Sequence, residues 1–131
     1  MSLLNYLTKI KIFKRVIPSI VKRILKLLEK HIFIYEFDNL KLIINLNEPM
    51  DQLIFFHNEY EKEQINFLTK NIEDLNPNIF IDVGANSGIY SLQVGKNFPD
   101  VKIISFEPVK ETFLKFEKNI LLNKNIRNIK P

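Results

Sequence analysis

Seven consecutive residues, Asp82-Val83-Gly84-Ala85-Asn86-Ser87-Gly88, have the types and spacing to hold a ligand. Glycines at such a point let the backbone approach a guest closely, and the N–H groups that open a following helix are left to bind an anionic group. A nucleotide-type cofactor is the natural guest. About twenty residues further on stands Glu107, where a carboxylate can accept both hydrogens of a ribose diol. An ordinary tight turn is the plainer alternative for Asp82–Gly88, but the carboxylate at Glu107 favours cofactor recognition. Taken alone, Glu107 reads as a solvated strand-end acid and borrows its meaning from the glycines.

Charge discriminates among cofactors. A dinucleotide loop uses Gly-x-Gly-x-x-Gly to bring N–H groups against a pyrophosphate, whereas these glycines follow Gly-x-x-x-Gly and an aspartate precedes them. Asp82 repels phosphate and attracts a cation. S-adenosylmethionine offers an ammonium and a sulfonium, while its own carboxylate can reach the helix N-terminus. A Walker-type phosphate loop is excluded because no Gly-Lys-Ser/Thr follows the glycines.

The hydrophobic pattern supplies the framework around these residues. Ile79–Val83 reads as a short buried strand, Ser87–Asn97 as a helix, Val101–Phe106 as a second strand, Lys110–Leu122 as a second helix and Ile126–Ile129 as the start of a third strand. The alternation predicts an α/β, Rossmann-like β-α-β-α-(β) unit around a parallel sheet. Gly95 is expected to end or loosen the first of these helices. Phe106, Phe113, Phe116 and Ile120 are expected in the core. Upstream, His31–Phe37 and Leu40–Leu46 predict a hairpin turning at Asp38-Asn39, and residues 50–74 carry Tyr60, Ile65, Leu68 and Ile72 at helical spacing. The organisation is thus a basic amphipathic arm over 1–30, a hairpin and helices over 31–78, and a cofactor-binding region over 79–131.

The blocks Ile81-Asp82-Val83-Gly84-Ala85-Asn86-Ser87-Gly88-Ile89-Tyr90-Ser91-Leu92, Ser105-Phe106-Glu107-Pro108 and Asn119-Ile120-Leu121-Leu122-Asn123, with Asn58-Glu59-Tyr60-Glu61 upstream, resemble the FkbM-type S-adenosylmethionine-dependent methyltransferases over about half the chain. The resemblance implies a seven-stranded Rossmann-like fold and O-methylation of a sugar, glycan or small-molecule hydroxyl. Carried over by position, Asp82, Gly84, Ala85, Asn86, Ser87 and Gly88 hold the methionine part and Glu107 the ribose, with Pro108 and Val109 beside the adenine. The sequence departs from that family by stopping at Pro131, as a third strand begins, so an incomplete enzyme is expected. The groups that align the acceptor come from loops after later strands, and no catalytic residue is assigned. His57, Glu59 and Tyr60 are candidates for a lid, His57 being favoured as an ordinary surface or packing residue.

Composition fits this picture. With 46% apolar and 26% charged residues in a chain of 131, one compact soluble domain is favoured over a disordered tail. The absence of cysteine removes disulfides and thiolate zinc sites, and His31 and His57 are too few for a metal cluster. Residues 1–30 hold eight Lys/Arg against one acid, a net +7, which leaves −3 for residues 31–131 out of a total of +4. Nucleic-acid binding by the body is therefore not suggested. No apolar run approaches the roughly 18 residues of a membrane span, and Val16–Val21 is too short for a secretory core of about 7–15 residues. A cytoplasmic location is expected.

Over Leu3–Lys30 the apolar residues keep a helical period, and Pro18 is expected to split the arm into two helices with Ser19 capping the second. The stripe suits either packing on the body or peripheral contact of residues 3–30 with anionic lipid. The alternative to an enzyme is a non-catalytic fragment that acts through this arm or self-associates through its uncovered sheet edge.

Overall fold

The computed structural model describes residues 13–131, so the arm expected over residues 3–12 lies outside the described residues. Along the chain run α1 (Phe13–Leu27), β1 (Ile32–Phe37), β2 (Leu40–Asn45), α2 (Pro49–His57), α3 (Lys62–Leu75), β3 (Ile79–Val83), α4 (Ile89–Asn97), β4 (Lys102–Phe106), α5 (Lys110–Leu122) and β5 (Ile129–Lys130). They form two compact units. One takes the residues up to Phe37 together with Leu42–Tyr60; the other takes Asp38–Lys41 and Glu61–Pro131.

In the first unit, α1 runs through Pro18 as one helix, which corrects the expected division there. Proline's ring locks φ at a helical value; the helix gives up one backbone hydrogen bond and bears the ring's crowding against the preceding turn, and the apolar stripe keeps its phase across it. Ser19 therefore lies inside the helix and caps nothing. On the hairpin, Leu42, Ile44 and Leu46 are buried. The Phe55 ring of α2 meets Phe33 and Tyr35 edge-on, at centroid distances of 5.1 and 5.4 Å. Buried Asp51 accepts the Asn45 N–H at 2.6 Å. The helical pattern expected over 50–74 is interrupted by Asn58, whose φ of 53° closes α2 with its N–H on the Ile54 carbonyl. Tyr60 falls in that break.

The second unit is built on a parallel sheet in the order β3-β4-β5. Its mixed α/β character is compatible with the opening of a Rossmann-like fold. Phe80 pairs with Ile103, Asp82 with Ser105 and Val83 with Phe106, so Phe80, Asp82, Ile103 and Ser105 share one face. Ile72 of α3, Val94 of α4, Val101 and Ile103 form the core there, with Leu68, Phe80, Phe98 and Ile129 packed around them. Gly95 lies in the last turn of α4, which ends at Asn97 as expected, but Gly95 does not itself terminate it: a Cβ there would come within 2.6 Å of Ile126 Cγ2, so close packing accounts for the glycine. Third-strand pairing begins later than expected, where Ile129 meets Ile103. Ile126 is buried just before it.

The opposite face of the sheet is uncovered by the described residues. Ile79, Ile81, Phe106 and Val83, the last 80% exposed, all point away from the core, which corrects the expectations of a buried first strand and a core Phe106. The near-continuous apolar run of β3 is the composition of a strand covered on both faces, and the described helices cover one.

The hairpin tip belongs to this unit and is held by side chains. Asp38 and Asn39 have φ of 48° and 59°, the left-handed pair that a two-residue turn of this kind demands and that Asx residues tolerate. Asn123 accepts the Lys41 N–H at 2.9 Å and donates to the Lys41 carbonyl at 2.8 Å. The Asp38 carboxylate takes Lys96 Nζ at 2.9 Å and Gln93 Nε2 at 2.7 Å. Burial pushes the Asp38 carboxyl upward, but the hydrogen bonds from Lys96 and Gln93 and the Lys96 charge prevail and hold it below its ordinary value of 3.8. A depressed folded-state pKa contributes stability that is present above the unfolded value and lost as pH falls through the folded one. Asp38→Asn should therefore lower stability at pH 7 by about 0.2–1 kcal/mol, small because the carboxylate is largely solvated. The gap to wild type should close in urea titrations run well below the ordinary carboxylate range. A gap that persists or widens in acid contradicts the assignment.

Candidate functional site

The loop after β3 is held on three sides. At its start, the Phe106 carbonyl that ends β4 accepts the N–H groups of Gly84 and Ala85, at 2.8 and 3.0 Å. The adjacent parallel strands thus deliver both predicted segments, 82–88 and 107–108, to one end of the sheet. The loop's conformation explains its composition. Gly84, Asn86 and Gly88 all have positive φ, of 82°, 52° and 84°, a region open to glycine and tolerated by asparagine. No heavy atom lies within 4 Å of the Cβ position of Gly84, so that side of the backbone faces open space. The Gly88 side is closed: a Cβ there would fall on the Phe116 ring of α5.

Below the loop, α5 braces it. Asn119, one turn after Phe116, is fully buried and donates to the Ser87 carbonyl at 2.9 Å. It is joined to Asn123, whose amide donates to the Asn119 carbonyl at 2.7 Å. Side chains three and four apart share a helix face, which is the signal by which Phe116, Asn119 and Asn123 can be grouped from sequence. Their task, supporting the loop and the hairpin tip, is set by distant partners.

The two candidate carboxylates are placed differently. Asp82, half-buried, accepts the Ser91 hydroxyl at 2.6 Å, and Ser91 Oγ lies 2.8 Å from Ser105 Oγ in the interior. This network ties β3 and β4 to the first turn of α4, and its two serines were missed as site residues by sequence reasoning. Glu107 reaches back to the loop: one oxygen accepts the Asn86 N–H and the other the Val109 N–H, both at 2.8 Å. Each carboxylate oxygen keeps a second lone pair. No lysine or arginine pairs with Asp82 or Glu107 among the described residues. Ala85, Ser87 and Gly88 are buried, whereas Gly84, Asn86, Pro108 and Val109 are exposed.

Helix α4 begins at Ile89, two residues later than expected, with Gly88 as its N-cap and no side-chain cap bond. Its first N–H groups have no intrahelical acceptor. Beside them, Tyr90 donates its hydroxyl to Glu61 at 2.6 Å. The proposed lid residues His57, Glu59 and Tyr60 belong to the first unit.

A glycine-bearing loop after one parallel strand, facing an acid at the end of its neighbour, is an arrangement suited to nucleotide-type cofactors. Comparison with known proteins points to a narrower class. Over 60 residues, 45% of this chain, the sequence is 37% identical to methyltransferase sdnD of Sordaria araneosa. The chain spans 23% of the length of that relative. This likeness supports a methyltransferase relationship. No protein-family profile matches the chain, and no solved structure matches it significantly.

Proposed function

We propose that residues 79–131 form the cofactor-binding opening of an S-adenosylmethionine-dependent methyltransferase of the FkbM type, whose acceptor is a hydroxyl of a sugar, glycan or small molecule. The observation that carries this proposal is the Glu107 carboxylate, clamped beside the loop by the Asn86 and Val109 N–H groups. That clamp fixes its orientation and leaves lone pairs for the two hydroxyl donors of a ribose. The open side of Gly84 lets an adenosyl ligand approach the backbone, and the uncapped first turn of α4 suits the ligand's carboxylate. Asp82 and Glu107 favour an ammonium and a sulfonium over a pyrophosphate. By the family resemblance, Pro108 and Val109 flank the adenine in this proposal.

When bound, the cofactor supplies an electrophilic methyl group on sulfur. These residues bind and orient it, which is the larger part of what a protein contributes to an in-line displacement. The likeness to a methyltransferase supports the reaction class, and the nature of the acceptor rests on the family resemblance. Titration calorimetry of the chain with S-adenosylhomocysteine is expected to give saturable binding, and NADH at the same concentrations none. Saturation by NADH with no response to S-adenosylhomocysteine overturns the proposal.

A non-catalytic interaction fragment is the alternative, favoured by the exposed apolar face of Ile79, Ile81, Val83 and Phe106. Sedimentation velocity on the same sample separates the two. A monomer that binds S-adenosylhomocysteine supports the enzyme, and an oligomer that ignores it supports the fragment.

A further inference from the structure

Helix α1 carries four apolar side chains, Val16, Ile20, Ile24 and Leu27, spaced at four, four and three residues, and therefore on one face. All four are exposed, Leu27 to 85% and the others to about half. A stripe of this kind over roughly 17 Å of helix, at 1.5 Å rise per residue, is the face a packed helix would bury. Basic residues accompany it. Lys22, Arg23 and Lys26 lie on the same helix, where they line a groove against Pro49, Leu53 and Phe56 of the same unit. Lys30 follows directly, and Glu29 is the single acid among residues 1–30.

We propose that α1 is a membrane-docking element, lying in the plane of an anionic phospholipid surface with Val16, Ile20, Ile24 and Leu27 inserted among the acyl chains and the basic side chains at the headgroups. Charge complementarity selects this occupant. An unbalanced cationic helix repels a second copy of itself, whereas lipid phosphates neutralise it, and long Lys and Arg side chains extend to headgroup level while their stems stay in the apolar layer. The helix lies on the surface and does not cross it, since no helix among the described residues is long and apolar enough to span a bilayer. This docking is independent of the methyltransferase proposal and stands or falls separately.

Vesicle flotation of the full chain tests it, because only vesicle-bound protein rises. Vesicles of phosphatidylserine and phosphatidylcholine at 30:70 are expected to carry the chain upward, and pure phosphatidylcholine to leave most of it behind. Raising NaCl to about 0.5 M, where the screening length is only a few ångströms, should release it. The double variant Arg23→Glu/Lys26→Glu changes exposed positions and should weaken binding at least tenfold. Ile20→Glu/Ile24→Glu should abolish it, with circular dichroism confirming retained folding in both. Equal flotation with neutral and anionic vesicles, no flotation with either, or unchanged flotation of the stripe variant overturns the proposal. So does lipid-free dimerisation that the stripe variant abolishes, since α1 then pairs with a second copy.

Discussion

Gly88→Ala is expected to destabilise the second unit by about 2–5 kcal/mol, combining the cost of a left-handed conformation for a residue with a side chain and the cost of overpacking. Both terms arise at one atom. The residue has φ of 84°, and its added Cβ would overlap the Phe116 ring, which is fully buried in α5 and cannot swing into solvent. To accommodate the methyl group, either the loop must lift from α5 or the ring must leave its rotamer. Lifting the loop also strains the Asn119 bond to the Ser87 carbonyl. Urea unfolding followed by circular dichroism measures the loss. The partner is identified by a double-mutant cycle with Phe116→Leu, a smaller apolar side chain. Coupling of at least about 1 kcal/mol is expected for residues in direct contact. A Gly88→Ala protein within about 0.5 kcal/mol of wild type, the range of ordinary surface substitutions, contradicts the packing described here.

Glu107→Ala is expected to weaken S-adenosylhomocysteine binding by about 1–3 kcal/mol, the scale of charge-assisted hydrogen bonds lost from one carboxylate. The structure adds an effect that needs no cofactor. With the carboxylate gone, the Asn86 and Val109 N–H groups lose their acceptors, and the loop loses its tie to the end of β4. Amide hydrogen exchange of Asn86 and Val109 in the free chain should accelerate in Glu107→Ala. Glu107→Gln should restore part of the protection, because the amide keeps one acceptor oxygen. The two measurements report on different roles. Faster exchange with unchanged affinity leaves Glu107 as a clasp for the loop and removes it as a ribose ligand; unchanged exchange removes the clasp.

Much of the site is legible in the sequence because its signals are local. The glycines at 84 and 88, the strand ending at Val83 and the helix Lys110–Leu122 all follow from chain periodicity and from residues that permit unusual φ. The turn at Asp38-Asn39 was readable for the same reason. Other features depend on partners far along the chain. Gly95 looks like a helix breaker in isolation, and its role is fixed by Ile126, thirty-one positions away. Pro18 likewise looks like a break, but its missing N–H and the crowding of its ring do not outweigh a helix whose flanking turns remain intact. The burial expected for Ile81, Val83 and Phe106 failed because apolar composition tells that a face can be covered, not that something in these residues covers it.

The alternation of strands and helices, the loop's glycines and the two acids beside it are properties of neighbouring residues and their allowed dihedral angles, and so are written in the chain itself. Folding adds what neighbouring residues cannot specify: Asp82 turns to Ser91 while Glu107 turns back to Asn86 and Val109, and Phe116 and Asn119 support the loop from below. Side-chain partners of this kind are chosen by strand register and by the seating of α5, and both are set by packing between segments distant in the chain.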